Sequence, residues 1–119
     1  MATHYELGKK GEAIAADFLQ KKGYRILERN WRFQKAEVDI LAFKNGLLVA
    51  VEVKTRTDTY FGNPQDFINR AKIERLVTAV DAYIQLRQLV VSVRFDIVAL
   101  VKNGPSFQIE HLEDAFYHF

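Results

Sequence analysis

The 119 residues are 49% hydrophobic and 27% charged, which fits a single domain over residues 1–119 and excludes a disordered chain, because enough apolar surface exists to offset chain entropy. No cysteine occurs, so disulfides, thiolate metal sites and a cysteine nucleophile are excluded. The net charge is only +2, but residues 1–75 carry 14 Lys/Arg against 10 Asp/Glu and residues 76–119 carry 3 against 5, so the first part is the surface expected to meet a polyanion.

In chain order, Tyr5–Lys22 reads as a helix with Leu7, Gly11, Ile14, Ala15 and Phe18 on one stripe and Gly23 as its C-terminal cap. Gly8 and Gly11 lie inside it, where each costs about 1 kcal/mol relative to Ala, so a close neighbour is expected there. Tyr24–Phe33, Glu37–Phe43 and Leu47–Lys54 read as strands, the last two joined by Asn45-Gly46, a type I′ hairpin signal. Asn63-Pro64 opens a long helix to about Arg87, Leu89–Val101 and Phe107–Leu112 are strands, and Glu113–Phe119 closes with one helical turn. The order α-β-β-β-α-β-β defines an α/β domain with a mixed sheet flanked by helices. No apolar run approaches the roughly 20 residues of a membrane span, and Met1–Lys10 is too polar for a secretory signal. A cytoplasmic protein without membrane contact is expected.

The hairpin carries the chemistry. With Asn45 and Gly46 as the two turn residues, Lys44 faces Leu47, Leu41 faces Ala50, Asp39 faces Glu52 and Glu37 faces Lys54. Side chains alternate along a strand, so Glu37, Asp39, Glu52 and Lys54 share one face while Val38, Ile40, Val49, Val51 and Val53 form the core face. Carboxylates directly opposite each other repel, the more so in apolar surroundings. A proton on one of them or a cation between them relieves this, and Mg²⁺ suits one or two carboxylates plus water and phosphate. The plain alternative is a Glu37–Lys54 cross-strand ion pair.

Asp39 followed twelve residues later by Glu52-Val53-Lys54 resembles the D…(D/E)xK core of restriction-endonuclease-like nucleases. The wider pattern resembles the YraN family of small bacterial proteins, in Gly8…Gly11-Glu12, Arg29-Asn30-Trp31, Glu37-Val38-Asp39, Val51-Glu52-Val53-Lys54-Thr55-Arg56, Lys72 and Arg94-Phe95-Asp96. It covers almost the whole chain, and archaeal Holliday-junction resolvases share the acidic helix residue, the acidic core and a dimeric habit. Ala36 departs from the family's usual Gly before Glu-(Ile/Val)-Asp. The resemblance implies a restriction-endonuclease-like three-layer fold and a phosphodiesterase that uses Mg²⁺, or Mn²⁺, on DNA of branched or damaged structure. It implies a homodimer and no organic cofactor.

On this reading Asp39 and Glu52 are metal ligands with the Val53 carbonyl as a third, Lys54 is the catalytic lysine, and Glu12 reaches the metal directly or through water. Lys72 falls within the inward stripe of the second helix beside Ile68, Leu76, Ala79 and Tyr83, which suits a phosphate or carboxylate partner, and Gln65 lies two turns earlier on the same line. Lys9, Lys10, Arg29, Arg32 and Arg56 are candidates to track phosphates, with Trp31 and Phe33 placed to stack on unpaired bases; the plain alternatives are a solvated basic face and, for Trp31, the core or a dimer contact. Arg94 and Asp96 share a face and suit an ion pair. His4, His111 and His118 show no ligand spacing, and neither Ser92 nor Ser106 has a nucleophile context. The competing reading is a non-catalytic module that binds nucleic acid or protein through the same groove, with affinity that falls with salt and needs no metal.

Overall fold

A computed structural model describes residues 4–57 and 68–116. The elements are α1 (His4–Lys21), β1 (Arg25–Phe33), β2 (Ala36–Lys44), β3 (Leu47–Arg56), α2 (Arg70–Arg87), β4 (Ser92–Asn103) and β5 (Ser106–Leu112), in the order expected from the sequence. The five strands form one sheet in sequence order, antiparallel except for the β3–β4 pair. A parallel pair cannot be closed by a tight turn, and the connection between β3 and β4 is the segment that contains α2.

The helices cover opposite faces, giving three layers. Ala15, Ala16 and Leu19 of α1 pack on Ile40, Ala42, Val49, Val51, Val98 and Leu100. Leu76, Ala79, Val80 and Tyr83 of α2 pack on Val38, Leu41, Leu48, Ala50 and Phe95. β3 feeds both cores with alternate residues, so its first part, Leu47-Leu48-Val49-Ala50-Val51, is a continuous apolar run as a strand covered on both faces requires. The close approach expected at α1 occurs at Gly11 alone: a Cβ there would overlap the Thr55 side chain, whereas Gly8 has open space beside it.

Four expectations change. Val38 packs under α2 rather than beside Ile40, because Asn30 in β1 adopts a left-handed conformation (φ 54°) opposite Asp39 and the β1–β2 pairing steps from Arg29–Ile40 to Trp31–Val38 across it. Helix α2 starts at Arg70, where the Asn69 side chain caps it by accepting from the Lys72 amide at 2.8 Å; the start expected at Asn63-Pro64 lies outside the described residues, as does Gln65. β4 starts at Ser92, after Gln88 ends α2 in a left-handed conformation. The described part of the tail is a turn, not a helix, since Asp114 is left-handed (φ 51°) and its amide is drawn to Asp96. No described helix is long and apolar enough to cross a membrane.

A polar cluster ties β4, β5 and the end of α1 together. Asp96 is fully buried and accepts two hydrogen bonds from Arg94 at 2.8 Å, one from the Asp114 amide at 3.0 Å and one from His111 Nε2 at 2.8 Å. The other ring nitrogen of His111 lies 2.7 Å from Lys22 Nζ, and Arg94 also donates to the Tyr24 hydroxyl at 2.7 Å. The ion pair expected between Arg94 and Asp96 is thus present. The structural role of His111 was invisible in the sequence, because its partners are 15 and 89 residues away.

Candidate active site

The Asn45-Gly46 turn has positive φ at both residues, 52° and 78°, as a type I′ turn demands. It sets the expected register from Lys44–Leu47 through Leu41–Ala50 to Ile40–Val51, and there the β2–β3 ladder stops. One residue on, the Asp39 side chain takes the place of a backbone partner: its Oδ2 accepts from the Val53 N–H at 2.8 Å. Glu52, beside Val53, is 6% exposed, and Lys72 reaches across from the first turn of α2 to bind its Oε1 at 2.7 Å. Asp39, Glu52 and Lys72 therefore line one cleft of about 250 Å³, whose walls include Glu37, Lys35 and Arg75.

The cleft is electrostatically crowded. Burial, then the Glu52 carboxylate, push the Asp39 carboxyl up to about 7; Glu12 adds to this, while the Val53 amide and Lys72 oppose it. Lys54 follows Glu52 by two residues on the same side of β3 and is half-buried. Burial, then the neighbouring Lys72 cation, pull its ammonium below the ordinary lysine value, with Glu52 and Asp39 acting the other way.

A match to the model of the uncharacterised protein family UPF0102 spans residues 11–100, most of the chain and all of these residues. The chain belongs to that family. UPF0102 proteins of Flavobacterium psychrophilum and Flavobacterium johnsoniae are 58% and 59% identical to it, each alignment covering all of both chains. One from Bacteroides fragilis is 50% identical over 98% of this chain and 97% of its own. The YraN-type resemblance of the motifs is therefore a family relation over the full length.

In this UPF0102 chain the other candidate residues divide into groups. Glu12 lines a neighbouring cavity on the α1 side with Lys9, Asn30, Arg32 and Glu37; its charge is felt at Asp39, but it does not line the cleft with Glu52. Glu37 pairs with Arg32 at 2.8 Å and not with Lys54, because the strands no longer pair beyond Ile40–Val51. Lys10 sits over the Phe107 ring of β5, away from both cavities, and Arg29 is exposed on β1 at the edge of the sheet. Arg56 ends β3 and donates to the Thr55 carbonyl at 3.3 Å. Trp31 belongs to the α2-side core, with its ring against Phe33 and edge-on to Tyr83.

Two residues of the site, Arg75 and Lys35, were not singled out from the sequence, and Asn30 entered only within the Arg29-Asn30-Trp31 motif. Asn30 creates the strand break that frees Asp39 from the ladder; an Asn inside a strand pattern, tolerant of left-handed backbone, was the available signal. Arg75 stands one turn after Lys72 on α2, and Lys35 sits in the turn between β1 and β2. Among the described residues no three or more His, Asp or Glu side chains converge as a metal cage. A site for a hard cation would therefore rest on Asp39 and Glu52, a donor set of the size Mg²⁺ uses when water and phosphate fill its remaining positions.

Proposed function

We propose that this chain is a divalent-metal-dependent phosphodiesterase that hydrolyses DNA of branched or damaged structure, in the cytoplasm and as a homodimer that places two clefts on two strands. The observation that carries this reading is the meeting of Asp39, Glu52 and Lys72 in one cleft at the point where β2 parts from β3. A buried carboxylate beside a half-buried one, with a third, Glu12, in electrostatic reach, adds nothing to a core and raises the energy of the charged state. Such crowding has a use where a cation and a phosphate are to be held.

Asp39 and Glu52 fit Mg²⁺ or Mn²⁺, with the Val53 carbonyl as a third donor, since a strand residue sends its C=O to the same edge as its N–H. Bound there, the metal would polarise the phosphoryl oxygen as a Lewis acid. The side chains supply the rest. Lys54, its proton loosened by burial and by Lys72, orients and deprotonates the attacking water. Lys72 holds Glu52 in place and presents a cation where negative charge develops on the phosphate. Lys9 and Arg32 beside Glu12 carry the phosphates of the strand onward, with Arg29, Arg56, Lys10 and Gln65 as outer contacts.

The Lys72–Glu52 ion pair also favours a second reading, a non-catalytic binding module, because Lys72 already neutralises the carboxylate that a cation would need. Hydrolysis separates the two. Wild-type protein incubated with four-way, flapped and linear DNA in Mg²⁺ or Mn²⁺ is expected to cut at least one of them. Lys54→Ala is expected to slow that cut by about 10²-fold or more, the usual share of a general base, and Glu52→Gln to abolish it. Equal cutting by wild type and Glu52→Gln would remove this site as the catalyst. Salt-sensitive binding that needs no metal and leads to no cut would select the second reading.

A further inference from the structure

Beside the Asp39–Glu52 cleft lies a larger cavity of about 570 Å³, between the β1–β2 turn and the flank of α2. The two share Lys35, Ala36 and Arg75, so they form one continuous depression. Its apolar walls are Phe33, Ala36 and Ala71, while Gln34 and Thr78 offer hydrogen-bonding groups. The volume lies within the range of small-ligand sites.

The charges at the shared rim point to an anion. Lys35 and Arg75 are both exposed, and neither has an ion-pair partner among the described residues. The carboxylate that also lines the cavity, Glu74, is engaged by Arg70 at 3.3 Å. Two cations with no ion pair among the described residues, at the rim of the Asp39–Glu52 cleft, suit phosphates passing from one depression to the other. The aromatic residue of the lining suits a base. Phe33 is half-buried and stacked on Trp31 with the rings 5° from parallel and 6.2 Å apart, and Trp31 is held in turn by Tyr83. The Trp31 contact braces the Phe33 ring, which also lines the cavity and offers an aromatic surface there.

We propose that this cavity takes one unpaired nucleotide adjacent to the phosphate at the Asp39–Glu52 cleft, its base against Phe33 and its phosphate on Lys35 and Arg75. The proposal rests on the phosphodiesterase reading and names its substrate class: DNA with an unpaired or extruded base next to the cut. A continuous duplex keeps its base faces stacked, so it can offer the two cations its backbone but cannot fill the cavity.

The test is binding of the full chain, with Ca²⁺ replacing Mg²⁺ to prevent hydrolysis, to two DNAs of equal length. One is fully paired, and the other carries a single unpaired 2-aminopurine. Wild type is expected to bind the second about ten-fold or more tighter, the size of one base–aromatic stack, and to quench its fluorescence. Ala71→Trp, a change at an exposed helix position that fills the cavity without removing core, is expected to bind both DNAs equally. Asp39→Asn is expected to keep the preference while losing hydrolysis in Mg²⁺. Equal binding of both DNAs by wild type, or a preference that survives Ala71→Trp, would overturn the proposal. Hydrolysis that survives Asp39→Asn would overturn the phosphodiesterase reading at this cleft and leave the cavity to be judged on the binding preference alone.

Discussion

Asp39→Asn is expected to stabilise the fold at pH 8 in the absence of divalent cations, although it removes a residue the proposed function requires. Asp39 is pushed up to about 7 in the folded chain from an ordinary value of 3.8. Below 3.8 the carboxyl is protonated in both states and favours neither. As pH rises from there the unfolded chain ionises while the folded chain does not, so wild-type stability falls until the folded group ionises near 7. The neutral amide avoids this loss at every pH and can still accept from the Val53 amide. The variant should match wild type at pH 3 and exceed it at pH 8 by on the order of 2–4 kcal/mol, the size set by a shift of this magnitude. Urea denaturation at the two pH values in a chelating buffer measures the gap. A variant less stable than wild type at pH 8 would mean that the Lys72 cation outweighs the crowding of carboxylates, and the electrostatic account of the cleft would be wrong. Mg²⁺ should narrow the gap at pH 8, since a ligand that binds only the folded wild type adds to its stability.

Asp96→Ala is expected to act in the opposite direction and more strongly. Burial works against the charge on Asp96, but hydrogen bonds from His111 and Arg94, with the Asp114 amide, outweigh it and hold the carboxyl below its ordinary value. Removing the carboxylate leaves the Arg94 guanidinium, itself only 21% exposed, with the neutral Tyr24 hydroxyl and the distant Glu113 at 3.7 Å, and leaves His111 and the Asp114 amide without their acceptor. Breaking such a buried pair from one side costs about 3–5 kcal/mol. A carboxylate lowered by the fold contributes stability above its unfolded value of 3.8 and loses it as pH falls through the lower folded value. The difference between wild type and Asp96→Ala should thus be full at pH 7 and shrink steadily below pH 4. Thermal or urea unfolding at pH 7 and pH 2.5 reads both ends. A difference below about 1 kcal/mol at pH 7, the range of exposed ion pairs, would show that the cluster does not hold β4 to β5.

Much of this was legible in local sequence because the decisive signals were local. Asn45-Gly46 specifies its turn, and the turn specifies the register to Ile40–Val51, which brings Asp39 and Glu52 to the same end of the hairpin. Leu7, Gly11 and Ala15, each one turn apart, mark the buried side of α1. Lys72 within an apolar stripe suited a phosphate or carboxylate partner, and Glu52 is the carboxylate it meets. The errors arise where a local rule meets a non-local constraint. Strict alternation carries Val38 to the same side as Ile40, but one left-handed residue in the neighbouring strand, Asn30, reverses it. The same break separates Glu37 from Lys54 and gives it to Arg32. Asn63 and Asn69 are equally good caps by residue type, and the cap described, at Asn69, sets the first turn from which Lys72 reaches the sheet. The second cavity was illegible for the same reason: Phe33 and Lys35 meet Ala71 and Arg75 only once α2 lies against the β1–β2 turn.

Calorimetric titration of Mg²⁺ and Mn²⁺ tests most directly whether Asp39 and Glu52 form a divalent-cation site. Wild type and Asp39→Ala would each be titrated alone and in complex with a DNA whose phosphodiesters resist hydrolysis. Binding to wild type that strengthens when the DNA phosphate completes the site, and none of it in the variant, is the expected result. The same heats from both proteins, or no binding to wild type even with DNA present, would contradict it.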